Sequence, residues 1–225
     1  MKILRTYEDF IERVNDCGFM TLSDVLTGLP SLAAETEENM WHTGDDETDP
    51  WRWKSRCAKD KKLAFGCIIG GHKGFVSSEL YHIFYAAYHP EGSMETRWES
   101  GEISQTVWTL WNLFNEKGVL STKDLRDEMG VTKKKGGSAV DTATKQLQKE
   151  YYITVSGTKR KTNKLGEPYG WPANTYELVP SWMPKEWSGI SSSVTRKEAC
   201  EEIIKRAIDI GIEIDISKLK KVLKF

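Results

Sequence analysis

The sequence predicts an α+β fold, mostly helical, with short β-hairpins. Three observations carry this. Residues 104–180 read as three amphipathic helices followed by two alternating strands, the outline of a winged helix-turn-helix. Residues 63–76 hold two further alternating runs around Gly70-Gly71-His72-Lys73-Gly74, the pattern of a hairpin. Residues 133–164 carry nine basic side chains against two acidic ones, in a chain of net charge −1. Those positives fall in the turn before the third helix, on its exposed side and in the ribbon, where a winged helix meets a duplex.

Each element follows from its residues. Residues 6–17 form a helix with Phe10, Ile11 and Val14 inward and Gly18 as its stop. Phe19, Met20 and Leu22 then dock it on a core, and Gly28-Leu29-Pro30-Ser31-Leu32 turns the chain. Residues 35–49 contain seven carboxylates and no Lys or Arg. Crowded carboxylates supply a general acid or base, or bind a hard cation; a solvated acidic loop is the commoner outcome. Asp49-Pro50-Trp51-Arg52-Trp53-Lys54, if it is extended, puts Trp51 and Trp53 on one side and Arg52 and Lys54 on the other. Interleaved aromatics and cations suit base stacking, and buried Trp is the commoner alternative. Lys73 at the hairpin tip is placed to reach a partner. Ser77 or Ser78 caps a helix running to Tyr88, which His89-Pro90-Glu91-Gly92 breaks.

The first helix of the basic stretch, 104–117, turns Val107, Leu110, Trp111 and Phe114 inward and ends at Gly118. Ser121 caps the second, with Asp124 three residues on, Leu125 and Met129 inward, and Gly130 closing it. Ser138 caps the third, with Asp141 at the matching position and Ala139, Ala143 and Leu147 as its apolar stripe. Tyr151, Ile153 and Val155, then Tyr176 and Leu178, alternate as the two strands of a ribbon. Trp182 and Trp187 pin the following linker across a core. Thr195 caps a helix in a capping box with Glu198, its apolar side being Ala199, Ile203, Ala207 and Ile208, and a short basic helix closes the chain. No repeat at a fixed sequence period is present.

Cys17, Cys57, Cys67 and Cys200 are scattered without a C-x-x-C, and the first ten residues lack an apolar signal core. No apolar run approaches the roughly 20 residues of a membrane span. Reduced thiols in a cytoplasmic protein, with no membrane partner, are the expectation. His42, His72, His82 and His89 are isolated, so no metal site is expected, and no cofactor signature is found.

With Asp49-Pro50-Trp51-Arg52-Trp53-Lys54, Gly70-Gly71-His72-Lys73-Gly74-Phe75-Val76-Ser77 and Tyr176-Glu177-Leu178 in view, the chain resembles the AlkZ-related proteins of bacteria. These are relatives of the AlkZ (YcaQ) winged-helix DNA glycosylases, and the resemblance covers most of residues 19–184. It implies tandem winged helix-turn-helix-like units and a double-stranded DNA partner, intact or damaged. The expected division is an N-terminal winged-helix-like domain over 1–100, a winged helix-turn-helix over 101–184, and a helical segment over 185–225 packed on the core. AlkZ enzymes cut the N-glycosidic bond of alkylated or cross-linked bases with an early glutamine-apolar-glutamine motif. The only such triplet here is Gln146-Leu147-Gln148, inside the third helix with Leu147 on its stripe, so the motif is not carried over.

A glycosylase needs a carboxylate or amide to position water, and Glu35, Glu37 and Glu38 are the candidates near tryptophans, with no spacing that singles one out. For duplex binding the outward residues of the third helix are Thr142, Lys145, Gln148 and Lys149, with Gln148 placed to read an adenine edge. Lys159, Arg160, Lys161 and Lys164 straddle the groove from the ribbon, and Lys73 adds to them. Trp51 and Trp53 are the base-stacking candidates. Three functions stand side by side: a DNA-binding protein of repair or damage recognition, an active glycosylase, and a protein-interaction module that includes a homo-oligomer.

Overall fold

The computed structural model describes residues 3–163, 165–187 and 194–225. Helices account for 47% of the chain and strands for 19%, so helix predominates in this α+β fold as expected. The first half contains α1 (Tyr7–Cys17), β1 (Phe19–Thr21), a 3-10 turn (Glu38–Met40), α2 (Pro50–Lys59), β2 (Leu63–Ile69) and β3 (His72–Ser77). Its antiparallel sheet has the order β1-β3-β2. Then come α3 (Tyr81–Tyr88) and α4 (Met94–Glu99). The second half contains α5 (Gln105–Lys117), β4 (Leu120–Ser121), α6 (Thr122–Glu128), α7 (Gly137–Lys149), β5 (Ile153–Thr162) and β6 (Pro168–Leu178), with the sheet order β4-β6-β5. Both halves thus use a similar succession of elements and the same strand order. The chain ends with α8 (Val179–Trp182), α9 (Arg196–Ile210) and α10 (Ile216–Leu223).

Caps set the helix starts. Thr6, Ser121 and Thr195 each make a reciprocal capping box, with Asp9, Asp124 and Glu198 respectively. The structure corrects several local expectations, the Ser77 or Ser78 cap of α3 among them, since Leu80 starts that helix without a side-chain cap. Residues 50–54 are helical rather than extended, because Asp49 caps α2 by accepting from Trp51 N and Pro50 occupies the first turn. Trp51 and Trp53 therefore point in different directions. Ser138 does not cap α7: Gly136, in the left-handed region at φ 81°, starts that helix without a side-chain cap. The buried stripe of α7 is Val140, Ala143, Thr144, Leu147 and Gln148, while Ala139 is exposed. On α9, Ile208 is 43% exposed and lies off the buried side.

The halves pack reciprocally. Helix α2 lies against β5, α7 lies against β2, and β2 meets β5 between them. Directed bonds fasten this seam. The buried Tyr151 hydroxyl donates to Ile68 O at 3.1 Å, and Trp182 Nε1 donates to Ala58 O at 3.1 Å. The C-terminal helices return to the first half. Helix α9 packs on α3, Arg206 Nε donates to Cys17 O at 2.8 Å, and Tyr88 Oη donates to Leu223 O at 2.8 Å. Gly70 (φ 56°) lets α10 approach the hairpin turn: a Cβ there would lie 2.2 Å from Val222 O. Among the described residues no helix is long and apolar enough to cross a membrane.

Candidate functional site

A cleft of about 560 Å³ opens between α2, the loop before it, and the β5–β6 ribbon of the other half. That volume is in the range of small-molecule and nucleotide sites. Asp49 builds one wall. Its buried carboxylate accepts from the backbone N–H of His42 (3.0 Å), Gly44 (2.9 Å) and Trp51 (2.9 Å), folding the acidic loop back over α2. Arg52 and Arg56 hold the loop from the helix side: Arg52 Nη1 donates to Asp46 Oδ1 at 2.9 Å, and Arg56 Nη1 to Glu47 Oε1 at 2.7 Å. Two of the loop's carboxylates, Asp46 and Glu47, are thus paired from the adjoining helix. His42 sits at φ 65°, a conformation that side-chain-bearing residues adopt only when their surroundings enforce it.

The ribbon supplies the opposite wall. Its register slips between the pairs Lys159–Ala173 and Lys161–Tyr169, so that Gly170, Trp171 and Pro172 bulge toward α2. Trp171 meets the His42 ring edge-on at 6.1 Å between centroids, and His42 meets Trp51 at 4.7 Å. Arg160 also lines the cleft. At its floor lies Lys54, only 8% exposed, with Nζ 4.1 Å from the Trp51 ring centroid. The ammonium makes a long hydrogen bond, 3.5 Å to Ser55 Oγ. Burial pulls the Lys54 ammonium down to about 8, and the positive charge of Lys73 adds to the effect.

A family model described as AlkZ related matches residues 4–224. The chain belongs to the AlkZ-related family. No curated protein and no solved structure matches it. The expected site residues of this AlkZ-related chain are distributed unevenly around the cleft. Trp51 lines it, half-buried. Trp53 does not: it is fully buried, stacks on Phe10 at 5.7 Å, and donates from Nε1 to Glu47 O, so it is core and not a base-stacking platform. Glu35 is buried in a two-pronged ion pair with Arg13 at 2.8 and 2.9 Å, a structural role. Glu37 and Glu38 are exposed beside and on the 3-10 turn and do not line the cleft.

On α7, Thr142 and Lys145 are exposed and Lys149 is half-buried. Gln148 corrects the expected outward direction. It is 5% exposed; Oε1 accepts from Cys67 N at 3.1 Å and Nε2 donates to Thr144 O at 3.1 Å. The amide is consumed by the seam between the halves and cannot reach a base edge while the seam is intact. Lys145 and Lys149 lie beside Gly71 of the hairpin turn, and Lys73 is exposed on β3. Lys73 and Lys145 both favour the Cys67 thiolate, although burial of that thiol wins and raises it overall. On the ribbon, Lys159 pairs with Asp124 at 3.2 Å, Arg160 turns to the cleft, and Lys161 is exposed. Lys164 lies outside the described residues.

Sequence reasoning missed Lys54, His42 and Trp171 as a group. The interleaved Trp-Arg-Trp-Lys run signalled part of it, whereas Trp171 joins only through the bulge. Among the described residues no cluster of His, Cys, Asp and Glu is arranged to hold a metal ion.

Proposed function

We propose that the chain is a DNA-binding protein of damage recognition or repair, built from two winged helices. The cleft beneath the β5–β6 ribbon receives a nucleotide displaced from a duplex. The observation that carries the reading is the cleft itself: Trp51, His42 and Trp171 offer aromatic surfaces for a base, and Arg160 and Lys54 stand beside them. The similar element order and the strand order of each sheet support the winged-helix assignment. Lys159, beside Asp124, and Lys161 are exposed on the ribbon at the positions that alternate with the cleft-lining Thr158 and Arg160, and are suited to phosphates. Lys159 is the exposed partner of its pair with Asp124, so it can be exchanged to a phosphate. Gln148 takes no part, which makes the ribbon rather than α7 the principal contact.

Recognition is favoured over hydrolysis by the state of the cleft carboxylates. Asp46 is held by Arg52, Asp49 by three backbone N–H groups, and Asp60 by Tyr7 and Arg56. Each of these carboxylates already serves the protein's own donors. The test is fluorescence anisotropy on intact and abasic duplexes across a salt series. The wild-type chain is expected to prefer the abasic duplex. A Lys159→Glu, Arg160→Glu, Lys161→Glu variant is expected to bind more weakly, with the log–log salt slope reduced by about 0.9 for each phosphate that is no longer neutralised. Affinity that ignores both salt and ribbon charge would remove the proposal.

A further inference from the structure

The cleft contains one group that phosphate binding does not explain. A lysine that serves phosphates sits exposed on a flexible stem, as Lys161 does. Lys54 is instead enclosed at the cleft floor, over the ring of Trp51 and within 5.8 Å of the Phe65 ring centroid. No carboxylate forms an ion pair with it among the described residues. Asp49, which starts the same helix, spends its oxygens on backbone N–H groups. The charged or titratable groups that act on Lys54 are Lys73 of β3, Cys57 of its own helix and Asp49. An enclosed amine without a counter-ion, at the bottom of an aromatic cleft, is the arrangement of a nucleophile.

We propose that Lys54 is a nucleophilic amine that condenses with the aldehyde of a ring-opened abasic deoxyribose seated in the cleft. The proposal rests on the reading of the cleft as a nucleotide site, and it adds the chemistry and the substrate class. The Nζ lone pair adds to the C1′ carbonyl carbon, giving a carbinolamine. Both protons of the amine leave with the carbonyl oxygen as water, and a C=N bond replaces C=O. The step is reversible and needs neither oxidant nor reductant. Only the neutral amine attacks. At about pH 7.5 an ordinary lysine is neutral in about one molecule per thousand, whereas an amine at about 8 is neutral in roughly a quarter of them.

The experiment incubates the full chain with an abasic duplex in the presence of borohydride, which reduces an imine to a stable secondary amine. Parallel arms hold the same duplex without the abasic site, and pyridoxal phosphate as a soluble aldehyde. The expected result is one covalent protein–DNA species whose peptide map places the adduct on Lys54. It is absent with the intact duplex, falls at least about tenfold in Lys54→Met, and grows with pH through a midpoint near 8. Thermal melting establishes whether Lys54→Met is folded; if it is not, the wild-type peptide map decides alone.

Adducts spread over surface lysines, or no adduct, overturn the proposal. If anisotropy then still shows duplex binding by the wild-type chain, the DNA reading survives without the nucleophile. If the chain fails to bind duplex and pyridoxal phosphate alone labels Lys54, the abasic assignment falls together with the DNA reading.

Discussion

Replacing Gln148 by Ala separates two accounts of the third helix of the second half. In the structure its amide bridges Cys67 N–H of β2 and Thr144 O of its own helix, both at 3.1 Å. Truncation removes two hydrogen bonds and strands one backbone N–H in the seam. A bond of this kind contributes about 1 kcal/mol net, and an unpaired buried donor adds to the loss, so the expected destabilisation is about 2–3 kcal/mol. For a chain of this length that corresponds to a fall in Tm of roughly 4–12 °C. Gly66 supports the assignment, since a Cβ there would come within 3.0 Å of Gln148 Oε1. Gln148→Glu retains the acceptor but turns an oxygen toward Thr144 O, and is expected to cost at least as much. The assays are urea unfolding and anisotropy on duplexes that differ at single A·T pairs. An unchanged urea midpoint together with lost discrimination at an A·T pair would show that Gln148 reads bases and does not hold the seam.

Three further expectations come from the same kind of reasoning. Asp49→Ala frees three backbone N–H groups and the start of α2; a cost of about 2 kcal/mol and new protease cleavage within residues 42–49 are expected, and an equally resistant loop would contradict its role as organiser. Arg13→Ala leaves the Glu35 carboxylate buried without its partner; with about a third of Arg13 still reached by water, a loss of about 2 kcal/mol in chemical unfolding is expected, and no loss would show the pair to be ornamental. Lys54 binds its proton less tightly when folded, about 8 against 10.5, so the unfolded chain holds more protons between those values and stability contributed through this group rises with pH across that window. Relative to Lys54→Met, the wild-type chain should therefore gain stability from about pH 8 to about pH 10, and a flat difference would show that the amine is not pulled down.

Much of the architecture is legible in the sequence because caps and periodicity are local. Ser121 with Asp124 and Thr195 with Glu198 announce their helices, and the glycines of residues 70–74 announce the hairpin. The phase of α7 is not legible in the same way. A serine at 138 imitates a cap, and starting the helix there puts Ala139 on the stripe in place of Val140 and turns Gln148 outward. Asp49-Pro50 carries a start signal for α2, but the spacing of Trp51 and Trp53 imitates a period of two and masks the cap. Half of the cleft can be suspected from the Trp-Arg-Trp-Lys run. The rest depends on a bulge that brings Trp171 back to a loop far away in sequence, and bulges leave no periodic trace.

The mutual clasp of α2 on β5 and α7 on β2 has a consequence for how this molecule is handled and how it works. Cutting near residue 100 would not liberate two independent modules; each fragment would display the apolar flank that its twin normally shields, and should aggregate. By the same token the mouth of the cleft is no hinged flap. Its jaws belong to opposite lobes, so its gape is governed by how the lobes seat on each other. A substitution deep in their shared boundary, remote from any ligand, can tighten or slacken the grip.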